Sequence, residues 1–330
     1  MTKEPPPEFS LTGERREDKE TQPYVYPENA VGETLRTRVT MIVPTRGTQR
    51  GVSGDDIIRR WSGQSLMPIE LIIVRGAVNP AVGRNAGAQA ATGDVLLFID
   101  DDGQPVGIRV IEDVIGALLA DESVWLAGAA IRPPLEASKF HKRYCRQVGL
   151  ITAPAPETTQ DSDLTTTLCC AMRQVHFKAL GGFDGRLTAG EDPELRDRIR
   201  RAGGRIVLAA GATVYHPPSS SWAALWRRGF WYGRGGAQQA MLYCGEEWRR
   251  ESQARGVWHY LIKGLASPIS LIMDWESLKG GKVRLACQPL RMVHTWANAA
   301  GYFAERLAGG DLSATENAGT VERYIFPKGN

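Results

Sequence analysis

The sequence predicts an α/β fold: a mainly parallel sheet flanked by helices, followed by a helical appendage. Three observations predict it. Near-continuous apolar runs, "IELIIV" at 69–74 and "VLLFI" at 95–99, alternate with helix-like stretches from Val39 onward. Strands apolar on both faces need cover on both faces, as in parallel sheets crossed by helices. Beyond Ser219 the texture changes, and seven of the nine tryptophans fall in that last third.

The elements follow in order. Residues 1 to about 38 are rich in Pro, Glu, Arg and Thr without apolar periodicity. Such a composition does not repay its ordering entropy, so a mostly disordered tail is expected, with Tyr24 and Tyr26 available to dock. "VTMIVPTR" is a β-rich run ended by Pro44. "SGDDIIRRWSGQ" puts Ile57, Ile58 and Trp61 on one helical face, with Ser53 or Asp55 near its start. "AVGRNAGAQAATG" reads as an Ala-rich helix closed by Gly93. "RVIEDVIGALLAD" is a helix and "VWLAGAAIRP" a strand; "LTTTLCCAMR" is a strand leading into a helix through Val175 and Phe177. "PELRDRIRRAGG" is a helix ended by glycines, and "RIVLAAGATVYH" supplies a last strand or two. The expected units are a tail (1–38), a catalytic domain (39–218) and a helical, aromatic-rich C-terminal region (219–330).

Composition narrows the function classes. The 330 residues fit one large domain plus an appendage, and the 42% apolar fraction supports a true core. A net charge of +3 is too small to argue for nucleic acid. The five cysteines form no C-x-x-C pair and read as reduced thiols of a cytoplasmic protein. "MTKEPPPEFS" lacks a signal peptide's apolar core. "GLASPISLIM" is about half the roughly 20 residues that span a bilayer, and Pro268 interrupts it. No transmembrane helix is expected.

Chemistry concentrates where "VLLFI" runs into Asp100, Asp101 and Asp102. Three like charges at a strand end cost free energy unless something positive meets them. In extended geometry Asp100 and Asp102 project to one side and Asp101 to the other. Hard divalent cations prefer such carboxylates and keep positions open for phosphate. A solvated acidic turn is the plain alternative.

Two longer blocks, "GRNAGAQAATGDVLLFIDDDG" and "ALGGFDGRLTAGEDPELRDRIRRAGGRIVLAAGATVYH", follow "VTMIVPTR". In this order and spacing they resemble the family 2 glycosyltransferases of the GT-A fold, from about Val39 to His216. The resemblance implies inverting transfer of a sugar from a nucleoside diphosphate to a hydroxyl of a glycan, lipid-linked or small-molecule acceptor. It makes Asp102, with Asp100, the ligands of Mn²⁺ or Mg²⁺. Asp100 and Asp101 would also face the donor, as would Pro44, Thr45 and Arg46 at the end of the first strand. His216 stands where a further metal or diphosphate contact is expected; a packed imidazole is the alternative. Arg84 would meet the diphosphate or ribose, or instead pair with the acidic cluster; Asn85 would brace its helix. Asp192 would be the general base and Glu191 would orient the site. Asp192 before Pro193 also reads as a helix N-cap. Arg228 and Trp231 fall to the acceptor or diphosphate.

Two departures from that pattern matter. The second strand ends "LIIVRGAVNP", with Arg75 where the family has an acidic segment. Arg75 then either pairs with the nucleotide base or faces Asp55 or Asp56, leaving UDP, GDP and dTDP donors open. "RRGFWYGRGG" lacks the Gln-x-x-Arg-Trp order of processive synthases, so transfer of one or a few sugars is expected. The basic aromatic stretch around it has three readings: packing, an acceptor subsite, or peripheral contact with the inner face of a membrane, to which Trp258, Trp275 and "KGGKVR" would add. Two other functions remain open: a donor-binding protein without catalysis, and a metal-dependent nucleotidyltransferase.

Overall fold

A computed structural model describes residues 37–45, 52–148, 155–217, 220–243, 256–272, 287–310 and 317–326. The expected tail, Arg46, Trp275 and "KGGKVR" lie outside them. β1 (Val39–Thr45) alternates its side chains, sending Met41 and Val43 to one face of the sheet and Ile42 to the other. α1 (Gly54–Trp61) starts at a capping box, in which Ser53 accepts from the Asp56 N–H and the Asp56 carboxylate accepts from the Ser53 N–H. It buries Ile57 and Trp61 on the Met41 face.

β2 (Glu70–Arg75) pairs parallel with β1. Its Glu70 is buried among apolar neighbours yet accepts bonds from Thr40 Oγ1, Thr92 N and Thr92 Oγ1. Those bonds outweigh burial and hold its carboxyl below the usual range. α2 (Pro80–Ala90) is capped by Asn79, with Pro80 in its first turn. It ends at Ala91, so Gly93 does not close it. Gly93 serves a different need: a Cβ there would stand 2.7 Å from Arg38 O and Thr40 N.

β3 (Val95–Ile99) joins β1 in parallel. β4 (Gln104–Pro105), α3 (Val110–Leu119) and β5 (Val124–Arg132) follow, then α4 (Lys139–Val148) and β6 (Gln160–Asp161). β7 (Cys169–Arg173) is inserted between β3 and β5 and runs antiparallel to both. α5 (Gln174–Ala179), α6 (Glu191–Arg201) and β8 (Arg205–Tyr215) complete the block, with β8 parallel to β5. The order across the sheet is β4-β8-β5-β7-β3-β1-β2-β9, with β6 on β8. α1 and α3 cover one face; α2, α5 and α6 cover the other, over Phe98, Phe177 and Phe183. Consecutive β/α units thus form a mixed sheet in which β2-β1-β3 and β5-β8 pair in parallel, with antiparallel β7 between the two parallel groups.

The C-terminal region is helical as expected: α7 (Trp222–Leu242), α8 (Val257–Ala266), a 3₁₀ turn (Ser267–Leu271) and α9 (Pro289–Ala308). Its last segment departs from the expectation. β9 (Thr320–Ile325) returns to the sheet and pairs antiparallel with β2. The chain therefore closes its own edge strand, and residues 219–330 are not a purely helical unit.

α7 and α9 cross closely because glycines remove the intervening side chains. A Cβ built at Gly233 would overlap the backbone oxygen of Asn298, and one at Gly301 that of Phe230. Backbone cannot give way as a side chain can. We therefore expect Gly233→Ala and Gly301→Ala each to destabilise the protein by about 1–3 kcal/mol or more. Gly264→Ala, whose Cβ would meet only Ala299 at 3.5 Å, should be neutral. Urea denaturation midpoints of the three variants check this.

Candidate active site

β1 and β3 both end at one rim of the sheet, and the aspartate triplet follows β3 there. The three carboxylates do not face one another alone; each has its own partner. Asp100 Oδ1 lies 2.6 Å from Arg84 Nη2. Asp101 Oδ2 accepts from Thr45 Oγ1 at 2.7 Å, which ties the ends of β3 and β1 together. Asp102 Oδ1 sits 3.6 Å from His216 Nε2, just past the end of β8. Arg60 from α1 donates to the main-chain oxygen of Asp101 at 2.6 Å and pins the turn.

Arg84 projects from α2 and is 3% exposed. Its Nη1 donates to Glu191 Oε1 at 2.7 Å. Burial would lower its pKa, but the charges of Asp100 and Glu191 more than reverse that and fix the guanidinium as a cation. Of the two readings of Arg84, contact with the diphosphate or ribose and pairing with the acidic cluster, the structure shows the pairing. Burial raises the Asp100 carboxyl against the pull of Arg84, and Asp102 adds to the rise. Glu191 is pushed up to about 7, first by burial and then by the adjacent Asp192, with Arg84 opposing.

Asp192 is not the helix cap. The N-cap of α6 is Gly190 at φ 89°, a conformation that suits glycine alone. Gln239 of α7 donates to its carbonyl at 2.8 Å. Asp192 is the second helical residue and Pro193 the third, where a missing N–H costs nothing. Freed from capping, the Asp192 carboxylate accepts from Thr167 Oγ1 at 3.0 Å and Thr167 N at 3.2 Å. Asn85 braces the loop before α6, exchanging bonds with Phe183 N and O.

These groups line one cavity of about 720 Å³, with Pro44, Thr45 and the aspartates on one side and Glu191 and Asp192 on another. His216, Arg228 and Trp231 line it as well, the last two from α7. Arg228 Nε and Nη2 lie 3.3 and 3.2 Å from the Tyr232 hydroxyl. Burial alone would lower its pKa; neighbouring Tyr232, Tyr144 and Asp102 raise it, so it stays charged. A second cavity of about 560 Å³ shares Ala189, Gly190 and Tyr232 as walls and extends to His259, Tyr260 and Lys263 of α8.

Arg75 lies elsewhere. Its Nε bonds Glu322 of β9 at 2.6 Å and its Nη1 bonds Val52 O at 2.9 Å, and it does not line the cavity. It pairs with Glu322, and not with Asp55 or Asp56. The sequence reading missed Thr167, which does line it; Arg227 and Tyr232, from the basic aromatic stretch with an acceptor-subsite reading, line it too. The run of threonines ahead of the apolar "CCAM" was the available signal for Thr167.

The residues suit a divalent cation in part. Among the described residues no group of three or more His, Cys, Asp or Glu is arranged to hold a metal. What the cavity offers is Asp102 and His216, 31% and 17% exposed and too far apart to hydrogen-bond each other. A cation that keeps positions for phosphate and water takes only one or two protein ligands, and Asp102 with His216 fits that need. Asp100, engaged by Arg84, stands behind them.

A family profile described as glycosyltransferase like family 2 matches residues 29–233. The O-antigen biosynthesis protein RfbC of Myxococcus xanthus is 28% identical over 158 residues, 43% of this chain and 12% of that protein. The pre-mycofactocin glycosyltransferase of Mycobacterium tuberculosis is 28% identical over 182 residues, 53% of this chain and 37% of its own length. The chain thus spans well under half of either relative. Among solved structures, the mannosyltransferase from Pyrobaculum calidifontis in complex with GDP-Man and Mn²⁺ aligns over 84% of this chain and 77% of its own, with 17% identity and a TM-score of 0.42. The profile takes in more than half of the chain and runs from ahead of β1 through Trp231 of α7, and on that ground the chain belongs to glycosyltransferase family 2.

Proposed function

We propose that the chain moves one sugar from a nucleoside diphosphate donor, UDP or GDP, to an acceptor hydroxyl with inversion at the anomeric carbon. One observation carries the reading: a single cavity sets Asp102 and His216 against Asp192, with cationic Arg228 on the same wall as the acceptor-side aromatics. A cation-binding edge and a proton acceptor around one space of ligand size would suit this transfer, and that supports the reading.

Asp192 takes the acceptor proton. Its two bonds from Thr167 orient the carboxylate, and its place in the first turn of α6 favours the ionised form. Closure over the acceptor would desolvate it and restore basicity. Glu191 and Asp100 hold Arg84, so Arg84 serves as a strut beneath the diphosphate and not as its principal cation. Arg228, still charged in its buried position, and Arg227 supply positive charge to the leaving group. When bound by Asp102 and His216, Mn²⁺ or Mg²⁺ would stabilise the negative charge growing on the departing diphosphate. The second cavity, beginning beside Gly190 and Tyr232, is the natural path for a glycan or lipid-linked acceptor. Among the described residues no helix is long and apolar enough to cross a membrane.

A thermal-shift screen of UDP-, GDP- and dTDP-sugars with and without Mn²⁺ tests the donor and the metal together; no stabilisation by any of them overturns the reading. Asp192→Asn should lower kcat by about 10²–10⁴-fold while leaving donor binding intact, as read by product formation and by the same melts. Asp102→Asn should abolish the Mn²⁺-dependent part of the donor shift. The pH dependence of stability follows from Glu191. Its carboxyl is raised from an ordinary 4.5 to about 7, so between those values the folded state binds more protons than the unfolded one. Stability should therefore fall as pH rises through that window. Glu191→Gln should flatten the fall, measured by urea unfolding at pH 4.5, 6 and 8.

A further inference from the structure

α8 turns two different faces outward and inward. At 100° per residue, Val257, Trp258, Leu261, Ile262 and Leu265 fall on one arc. All five are exposed, Trp258 by 73% and Leu265 by 75%. The opposite arc carries His259, Tyr260 and Lys263, which line the second cavity. The 3₁₀ turn continues the apolar side with exposed Ile269 and Leu271, and Ile272 follows at 68% exposure. Trp296 of α9 lies against this face, its indole N–H donating to Gly264 O at 3.1 Å, and is itself 40% exposed. Scattered single apolar residues need no explanation; a contiguous exposed run of this kind does.

The surroundings of the face identify its occupant. Gln288 N donates to Ser270 O of the 3₁₀ turn, and Cys287 O accepts from Arg143 and Gln147 of α4. α4 thus borders the apolar run, and it exposes Lys139, Lys142, Arg143 and Arg146 with no acidic residue among them. Phe140 of α4 packs edge-on against Trp222 of α7, their centroids 5.7 Å apart. Trp222 and Trp226 are half exposed, within two residues of the cavity residues Ala224 and Arg227. Protein interfaces are depleted in lysine. Helices that lie in a bilayer interface combine an apolar face, tryptophan and basic residues.

We propose that the α8–3₁₀ face, with the basic side of α4, docks this chain on the surface of an anionic lipid bilayer. The helix lies on the bilayer, since α8 spans only ten residues. Docking there brings the second cavity beside the lipid headgroups. In conjunction with the glycosyl-transfer reading, it makes a lipid-linked hydroxyl the acceptor class; the docking itself does not depend on that reading.

Vesicle co-sedimentation of the full chain tests the docking without any catalytic readout. Vesicles of phosphatidylethanolamine and phosphatidylglycerol should retain the protein about tenfold or more better than phosphatidylcholine vesicles, because each basic residue near an anionic surface contributes about 1 kcal/mol. Trp258→Glu with Leu265→Glu should lose binding by about tenfold or more, with an unchanged melting temperature and unchanged donor-induced thermal shift. Trp258→Phe keeps the apolar surface and should still bind, with less fluorescence quenching by brominated lipid. Equal binding to neutral and anionic vesicles, or full binding by the double variant, overturns the proposal. So does a wild-type chain that ignores vesicles but dimerises through this face, seen as a mass halved by the double variant. Asp102→Asn should bind vesicles like the wild type, so loss of donor binding and loss of docking are told apart.

Discussion

The site depends on one buried ion triad. Arg84 is almost wholly removed from solvent between Asp100 at the tip of β3 and Glu191 at the start of α6. A guanidinium so placed costs several kcal/mol in lost hydration unless it is paired with good geometry. Two charge-assisted bonds of 2.6 and 2.7 Å supply that pairing. They also fix distances between three segments far apart in the chain. That bracing joins the aspartate turn to the first turn of α6 and offsets the repulsion among their carboxylates.

The triad divides labour among groups that look equivalent in sequence. Of three consecutive aspartates, one is spent on Arg84, one on Thr45, and the third faces the cavity beside His216. Glu191 and Asp192 divide likewise: Glu191 is buried in the triad, while Asp192 is presented to the cavity on two bonds from Thr167. In both clusters a buried carboxylate is held by Arg84 while another lines the cavity.

Much of this was legible in the residues. Apolar runs located β1, β2, β3 and β5, because a strand buried on both faces has little freedom of composition. The triplet and "GED" located the cavity, because charge at a strand end or helix start needs a counterpart. Direction of pairing was not legible: β7 reads as an ordinary buried strand, and nothing local to "CCAMR" tells which way it runs between its neighbours. The cap of α6 was misread because Asp before Pro is a good cap in isolation, whereas here the left-handed Gly190 takes that position and Asp192 is held by Thr167, a partner 25 residues away. β9 was hidden for a related reason: "TVERYI" carries two adjacent charges, Glu322 and Arg323, and lacks the apolar/polar alternation that marks a half-buried strand, as an edge strand can.

Arg75 shows how such an edge bears on the site. β2 would be the exposed border of the sheet were it not covered by β9, and an uncovered border is a template for unwanted pairing. The cover is fastened at the end nearest the cavity by Arg75 and Glu322, a pair that draws the Glu322 carboxyl below its usual range. That side chain does not line the cavity. The rim of β1 and β3 therefore presents Thr45 and Asp101, already bonded to each other, in place of a free carboxylate from β2. An arginine at the end of β2 and a C-terminal edge strand thus belong to one arrangement: Arg75 is committed to Glu322 and Val52, and with them to closing the sheet.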